Sequence, residues 1–198
     1  MRGQNRFRLV VLLACVCAFA LPARANAYVT AVKVYSPFDG THLAKNLIVD
    51  STVSGSCWTG SLAISGRSDA WRCMVVNDIH DPCYAGYLSG EHVAVCSSPF
   101  SSHVIVIRLS APLSPADANR LTGERGDPSA IELGDGARCE MITGLMNPVD
   151  GMRENYGCSG NTESAYGDPN RSSALWTIHV MSTGGSKMRI VNVRVAWY

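Results

Sequence analysis

Residues 175–198 read LWTIHVMSTGGSKMRIVNVRVAWY, two β-rich runs around Gly184-Gly185. A Gly-Gly pair between such runs predicts a hairpin with a two-residue primed turn. That turn sets a register pairing Met181 with Met188, Ile178 with Val191 and Trp176 with Val193. One face then carries Trp176, Ile178, Val180, Val191, Val193, Val195 and Trp197, interrupted only by Arg189; the other carries Thr177, His179, Asn192 and Arg194. Strand side chains alternate with period two, so a slip of one residue would scramble this separation. Pattern and turn agree on a half-buried hairpin.

Working upstream, the same grammar recurs. Further strands are expected over 28–35, 47–53, 91–96, 104–109, 131–133 and 137–142, with Gly134-Asp135-Gly136 turning between the last two. Helical signal is confined to Ser114-Pro115-Ala116-Asp117, one short turn or helix with Ser114 as its cap. Residues 143–173 are rich in Gly, Asn, Asp and Ser and read as a long irregular loop pinned by Cys158. Many short strands separated by turn residues predict an all-β or β-dominated α+β fold. The expectation is a small disulfide-stapled, sandwich- or barrel-like domain over 28–198, ending in a C-terminal β-hairpin.

Residues 1–27 read as a secretory signal peptide. Arg2, Arg6 and Arg8 precede the apolar run LVVLLACVCAFAL, followed by Pro22 and the small-residue triplets Ala23-Arg24-Ala25 and Ala25-Asn26-Ala27. Pro22 and Arg24 stop the run before the roughly 20 residues a membrane span requires. A lipid-modified Cys15 would leave only residues 9–14 as an apolar core, so cleavage after Ala27 is the better reading. Its removal takes four arginines and no acid, and the formal charge moves from +1 to −3. A mildly acidic chain without a basic stripe is not built to neutralise phosphates, which argues against nucleic acid as a partner. The destination is export, to the periplasm or the extracellular space, with no transmembrane segment after the leader.

Residues 69–83, DAWRCMVVNDIHDPC, concentrate reactive side chains. With Cys57 upstream, the set Cys57, Cys73, His80 and Cys83 supplies zinc-type ligands, but only His80 and Cys83 form a close pair. An oxidising compartment favours disulfides instead. Outside the leader stand six cysteines: Cys57, Cys73, Cys83, Cys96, Cys139 and Cys158. Six allow 15 pairings. The sequential set is expected, Cys57–Cys73, Cys83–Cys96 and Cys139–Cys158, each closing a loop of about 14 to 20 residues and contributing about 3 kcal/mol. The 69–83 run then becomes the joint between two stapled loops, with no metal and no cofactor required.

The ordered blocks GSCWTGSLAISGRSDAWRCMVVNDIHDPC, VAVCSSP, APLSP, IELGDGARCEMITG, RENYGC and GDPNRSSALWT span residues 55–177. Together they resemble an uncharacterised family of bacterial secreted or envelope-anchored cysteine-containing domains. In that family a glycine usually precedes the Asn-x-Ile unit; here the position is Val76, which implies a relaxed turn requirement. The resemblance implies a recurring exported module and carries no catalytic residue.

Catalytic readings are incomplete. Gly157-Cys158-Ser159-Gly160 lacks the full Gly-x-Ser-x-Gly elbow of serine hydrolases. Asp69, Asp78, Asp81 and Asp168 offer carboxylates, but glycoside cleavage needs two held roughly 5–10 Å apart, and turn chemistry accounts for these residues. Asn170-Arg171-Ser172 is a glycosylation sequon that matters only in a eukaryotic secretory pathway, and Asp150-Gly151 reads as a turn rather than a calcium loop. The aromatic–arginine cluster is the stronger lead: Trp58, Arg67, Asp69, Trp71 and Arg72, with Tyr84 and Tyr87 following. Such side chains anchor interfaces, though tryptophans of small β domains also pack over disulfides. The functional expectation is a non-catalytic binding module for an envelope component or protein partner. The alternative is a small exported hydrolase acting on cell-wall, glycan or ester substrates.

Overall fold

The computed structural model describes residues 28–119, 126–146 and 148–198. The expected leader over 1–27 lies outside the described residues. Fourteen strands and one 3-10 turn are present among the described residues, with no α-helix. The all-β expectation holds, and the barrel is its form. β1 (Ala31–Lys33) and the small hairpin β2 (Phe38–Asp39) and β3 (His42–Leu43) precede two closed sheets.

The first closed sheet is a meander of β4 (Ile48–Gly60), β5 (Ala70–Val75), β6 (Asp78–Leu88), β7 (Glu91–Cys96) and β8 (His103–Leu109). Each strand pairs antiparallel with the next, and β8 returns to lie parallel to β4 over seven residue pairs. Its interior gathers Trp71, Cys73, Cys83, Ala94, Cys96 and Ile107. Val93, Val95, Val104 and Val106 form a second buried layer, covered by Phe38, Leu43 and Leu47. A strand buried on both faces must be apolar at successive positions rather than alternate ones, which is why HVAVC was legible. Gly86 on β6 leaves room for this cover, since a Cβ there would stand 2.4 Å from the Phe38 ring.

The second closed sheet contains β9 (Ala130–Leu133), β10 (Arg138–Met141), β11 (Glu154–Cys158), β12 (Glu163–Asn170), β13 (Thr177–Ser182) and β14 (Arg189–Trp197). All neighbours are antiparallel, and β14 closes onto β9. Its core holds Ile131, Leu133, Tyr156, Ile178, Val180 and Val193. β1 adds parallel to the end of β14, and Thr30 fills the split between β13 and β14. The Thr30 hydroxyl donates to the Val193 carbonyl at 2.6 Å and accepts from the Trp176 N–H at 2.8 Å.

Three local expectations need correction. The hairpin keeps its register, with Ile178 opposite Val191, but its turn is wider than Gly-Gly: the ladder ends at Val180–Arg189. Met181 and Ser182 pair with β12, and the Thr183 N–H donates to the Thr162 carbonyl, so the chain turns around Thr183-Gly184. Residues 143–173 are not one irregular loop, because β11 and β12 run through them. Their inward side chains are few, but Tyr156 is fully buried and its hydroxyl donates to the Pro128 carbonyl at 3.0 Å. Residues 69–83 are not a joint between loops but two adjacent strands, with Asp81-Pro82 inside β6 at a bulge rather than in a turn. The short turn at Ser114–Asp117 and the turn at Asp150-Gly151 form as expected.

The turn before Asn77 is also instructive. Val76 opens the two-residue turn between β5 and β6 with φ +56°, so the left-handed requirement stays and a β-branched residue meets it. The relaxed turn requirement expected at Val76 is therefore not what forms.

Candidate binding surface

All three disulfides form in the expected sequential pairs, Cys57–Cys73, Cys83–Cys96 and Cys139–Cys158. Each joins residues directly opposite on neighbouring strands. Cys57, Cys73 and Cys83 therefore bring no thiolate to His80, and the zinc set has lost its sulfur ligands.

The five side chains expected to bind divide into two groups. Trp71 is 3% exposed, packed among Cys73, Cys83 and Cys96 in the first barrel, and offers no face to a partner. Arg67 is a clamp. Its guanidinium donates to the Tyr35 carbonyl and, at 3.1 Å, to the Tyr198 carbonyl, while Nε reaches Asp69 at 2.8 Å. It also lies over the buried Tyr84 ring, 4.9 Å from its centre. Arg67 and Asp69 thus fasten the N-terminal segment and the C-terminus to the first barrel, as an internal pair.

Trp58 remains at the surface, and Arg72 is half-buried beside it with its Nε buried. β4 bulges between Cys57 and Thr59, and this extra residue turns Trp58 outward, 40% exposed, with the Arg72 guanidinium 5.9 Å from its ring centre. The same outward face carries Met74, paired across to Ser56 on one side and Ile79 on the other. Met74 and Ile79 are both exposed, as is Val76 at the adjoining turn. These side chains form an apolar cluster around an arginine, on strands braced by two disulfides. Sequence reasoning missed Met74 and Ile79. The alternation of Trp71, Cys73 and Val75 against Arg72 and Met74 contained the signal once 70–75 is read as a strand.

No family model matches this chain, and neither does any curated protein or solved structure. The site is therefore judged on its own chemistry.

The carboxylates serve the frame. Asp81 accepts from the Ser61 hydroxyl and from the Leu62 and Ala63 N–H groups, at 3.1 and 3.5 Å. Burial pushes its pKa up, opposed by these hydrogen bonds and by Arg72. Asp81 and Glu140 line a crevice at the seam between the barrels, but its volume is about 30 Å³. That holds about one water, against roughly 300–1,000 Å³ for a substrate pocket. Asp168 accepts from Asn155 at 2.8 Å, and Asp127 pairs with Arg171 at 2.7 Å. Burial, then the Asp168 charge, raises the Asp127 pKa.

Ser159 stands on the lip of an open groove with Phe100, Arg138 and Glu140, and none of the groove's lining residues is a histidine. The groove's carboxylate, Glu140, accepts from the Ser98 hydroxyl.

Proposed function

We propose that the protein is an exported, non-catalytic binding module that meets a protein or envelope component through the outer face of β4, β5 and β6. The observation that carries this reading is the exposed row Trp58, Met74 and Ile79 beside Arg72, on strands joined by Cys57–Cys73 and Cys83–Cys96. Rigid backbone under large apolar side chains limits the entropy lost on binding. Methionine adapts its shape to the partner. The three disulfides suit an oxidising destination, in keeping with the resemblance to exported modules.

A photo-crosslinker at position 74, used in cell-envelope extracts, tests the reading. Saturable labelling, competed by unmodified protein but not by a Trp58→Ala/Ile79→Ser variant, is the expected result. Equal labelling from position 190, an exposed site on the second barrel, would remove the surface from consideration.

The second reading, a small exported hydrolase acting on cell-wall, glycan or ester substrates, draws on Asp127, a carboxyl whose pKa is raised by burial and by the nearby Asp168 charge. Turnover in a hydrolase-substrate screen that disappears with Asp127→Asn, in a variant retaining its fold, would favour it.

A further inference from the structure

A second recognition site lies where the two barrels meet, on the opposite side of the Cys139–Cys158 bridge from the second core. An open groove of about 490 Å³ is lined by Phe100 from the β7–β8 connection and by Arg138, Glu140 and Gly157–Gly160 from the second barrel. That volume lies within the roughly 300–1,000 Å³ range of small-molecule sites. The floor is bare because Gly157 stands opposite Glu140 in the ladder.

Arg138 and Glu140 are both exposed and occupy alternate positions of β10, so their side chains leave the same face, about 6.6 Å apart along the strand. Opposite charges at this spacing on one strand would ordinarily pair with each other. Here neither forms an ion pair with any described residue. Arg138 instead lies over the Phe100 ring, 5.5 Å from its centre, and Glu140 accepts from the Ser98 hydroxyl. Phe100 is itself fixed edge-on against Trp197 at 4.9 Å, and its N–H donates to Ser98 at 3.1 Å. Ser98 therefore holds both the aromatic wall and the carboxylate. The result is a groove with a positive pole, a negative pole and an apolar wall, each pole steadied by a neutral group rather than cancelled by the other. A small dipolar ligand complements it.

We propose that this groove binds a zwitterionic α-amino acid with an apolar side chain. Its carboxylate meets the Arg138 guanidinium, its ammonium meets Glu140, and its side chain rests against Phe100. A guanidinium suits a carboxylate because its planar donors match the two oxygens. The site is independent of the β4–β6 face, so its failure leaves that reading untouched, and the reverse holds.

Titration of the isotope-labelled protein with L-leucine, N-acetyl-leucine and leucine amide, followed by NMR, tests it. Leucine is expected to give saturable shifts at Phe100, Arg138 and Gly157, with a dissociation constant of about 1 mM or tighter. Arg138→Gln should weaken leucine at least tenfold. Glu140→Gln keeps an acceptor for Ser98 and should weaken leucine severalfold while leaving N-acetyl-leucine unchanged. Leucine amide should bind at least tenfold more weakly than leucine. Non-saturating shifts for all three compounds, or binding indifferent to both substitutions in folded protein, would overturn the proposal.

Discussion

The two barrels solve the same problem with different parity. In an up-and-down meander every strand reverses the last, so five strands return parallel to the first and six return antiparallel. The first barrel accordingly closes through a parallel β4–β8 ladder, and the second through an antiparallel β14–β9 ladder. Parallel pairing is slightly weaker per residue and cannot be made by a tight turn. The five-stranded barrel compensates with length, since β4 is 13 residues long, and with two of the three disulfides. The six-stranded barrel has one bridge and borrows β1 to complete β14. The difference teaches that the barrel closed by a parallel ladder carries more covalent bracing, between β4 and β5 and between β6 and β7, and the exposed apolar row sits on that braced barrel.

Several measurements would break or sharpen this contrast. The largest effect is expected from Trp71→Ala, which empties the first barrel's interior and should cost about 3–5 kcal/mol in urea unfolding. Trp58→Ala, on the same barrel but outward, should stay within about 1 kcal/mol. Equal losses would mean that Trp58 belongs to the core and not to a binding face.

Removing the disulfides one at a time as Cys→Ala pairs should cost about 3 kcal/mol each, because sequence separations of 16, 13 and 19 give nearly equal loop entropies. A much larger loss for Cys57–Cys73 or Cys83–Cys96 than for Cys139–Cys158 would sharpen the case that parallel closure depends on its braces.

The clamp that joins the chain ends to the first barrel is probed by Arg67→Met. It leaves the Tyr35 and Tyr198 carbonyls and Asp69 without their donor, and a loss of about 2–3 kcal/mol is expected by calorimetry. No loss would show that the barrels hold together without it.

Val76→Gly should raise stability by about 1 kcal/mol, by removing a β-branched side chain from a left-handed turn position where it is 84% exposed. Unchanged or lowered stability would mean that Val76 makes contacts worth more than its backbone cost.

The smallest effect is pH dependence. Asp81 on the first barrel and Asp127 beside the second both have folded pKa values raised by burial. The folded state then holds their protons more tightly than the unfolded chain. Their contribution is fully present below the unfolded carboxylate pKa and is lost as pH rises through the folded values. Asp127→Asn should flatten the fall in stability between mild acid and neutral pH, measured as urea midpoints. An unaltered profile would remove Asp127 from that account.

What could be read beforehand followed local rules. The strands at 91–96 and 104–109, the register of the last hairpin and the turn at Asp150-Gly151 were legible because side-chain patterning and turn residues act over a few positions. The strands at 70–75 and 78–88 were hidden under chemistry-bearing residues and a mid-strand proline. β11 and β12 were hidden by polar composition, since their pairing is supplied by neighbours on both sides and not by their own apolar content. Of the expected binding residues, Trp58 and Arg72 face outward, whereas Trp71 and Arg67 are spent on packing and clamping.

By itself the sequence determined the β-rich class, because strand periodicity is local, whereas six cysteines left 15 pairings and only the ladders set each expected pair opposite its partner. Tertiary structure alone decided that there are two closed barrels, and which side of each strand meets water. A bulge of one residue at Trp58 turned that side chain outward. The meeting of Phe100 with Arg138, nearly forty residues further along the chain, made a groove that no spacing rule contains. Closure and sidedness depend on long-range pairing, and long-range pairing is settled only when every strand has found its neighbours.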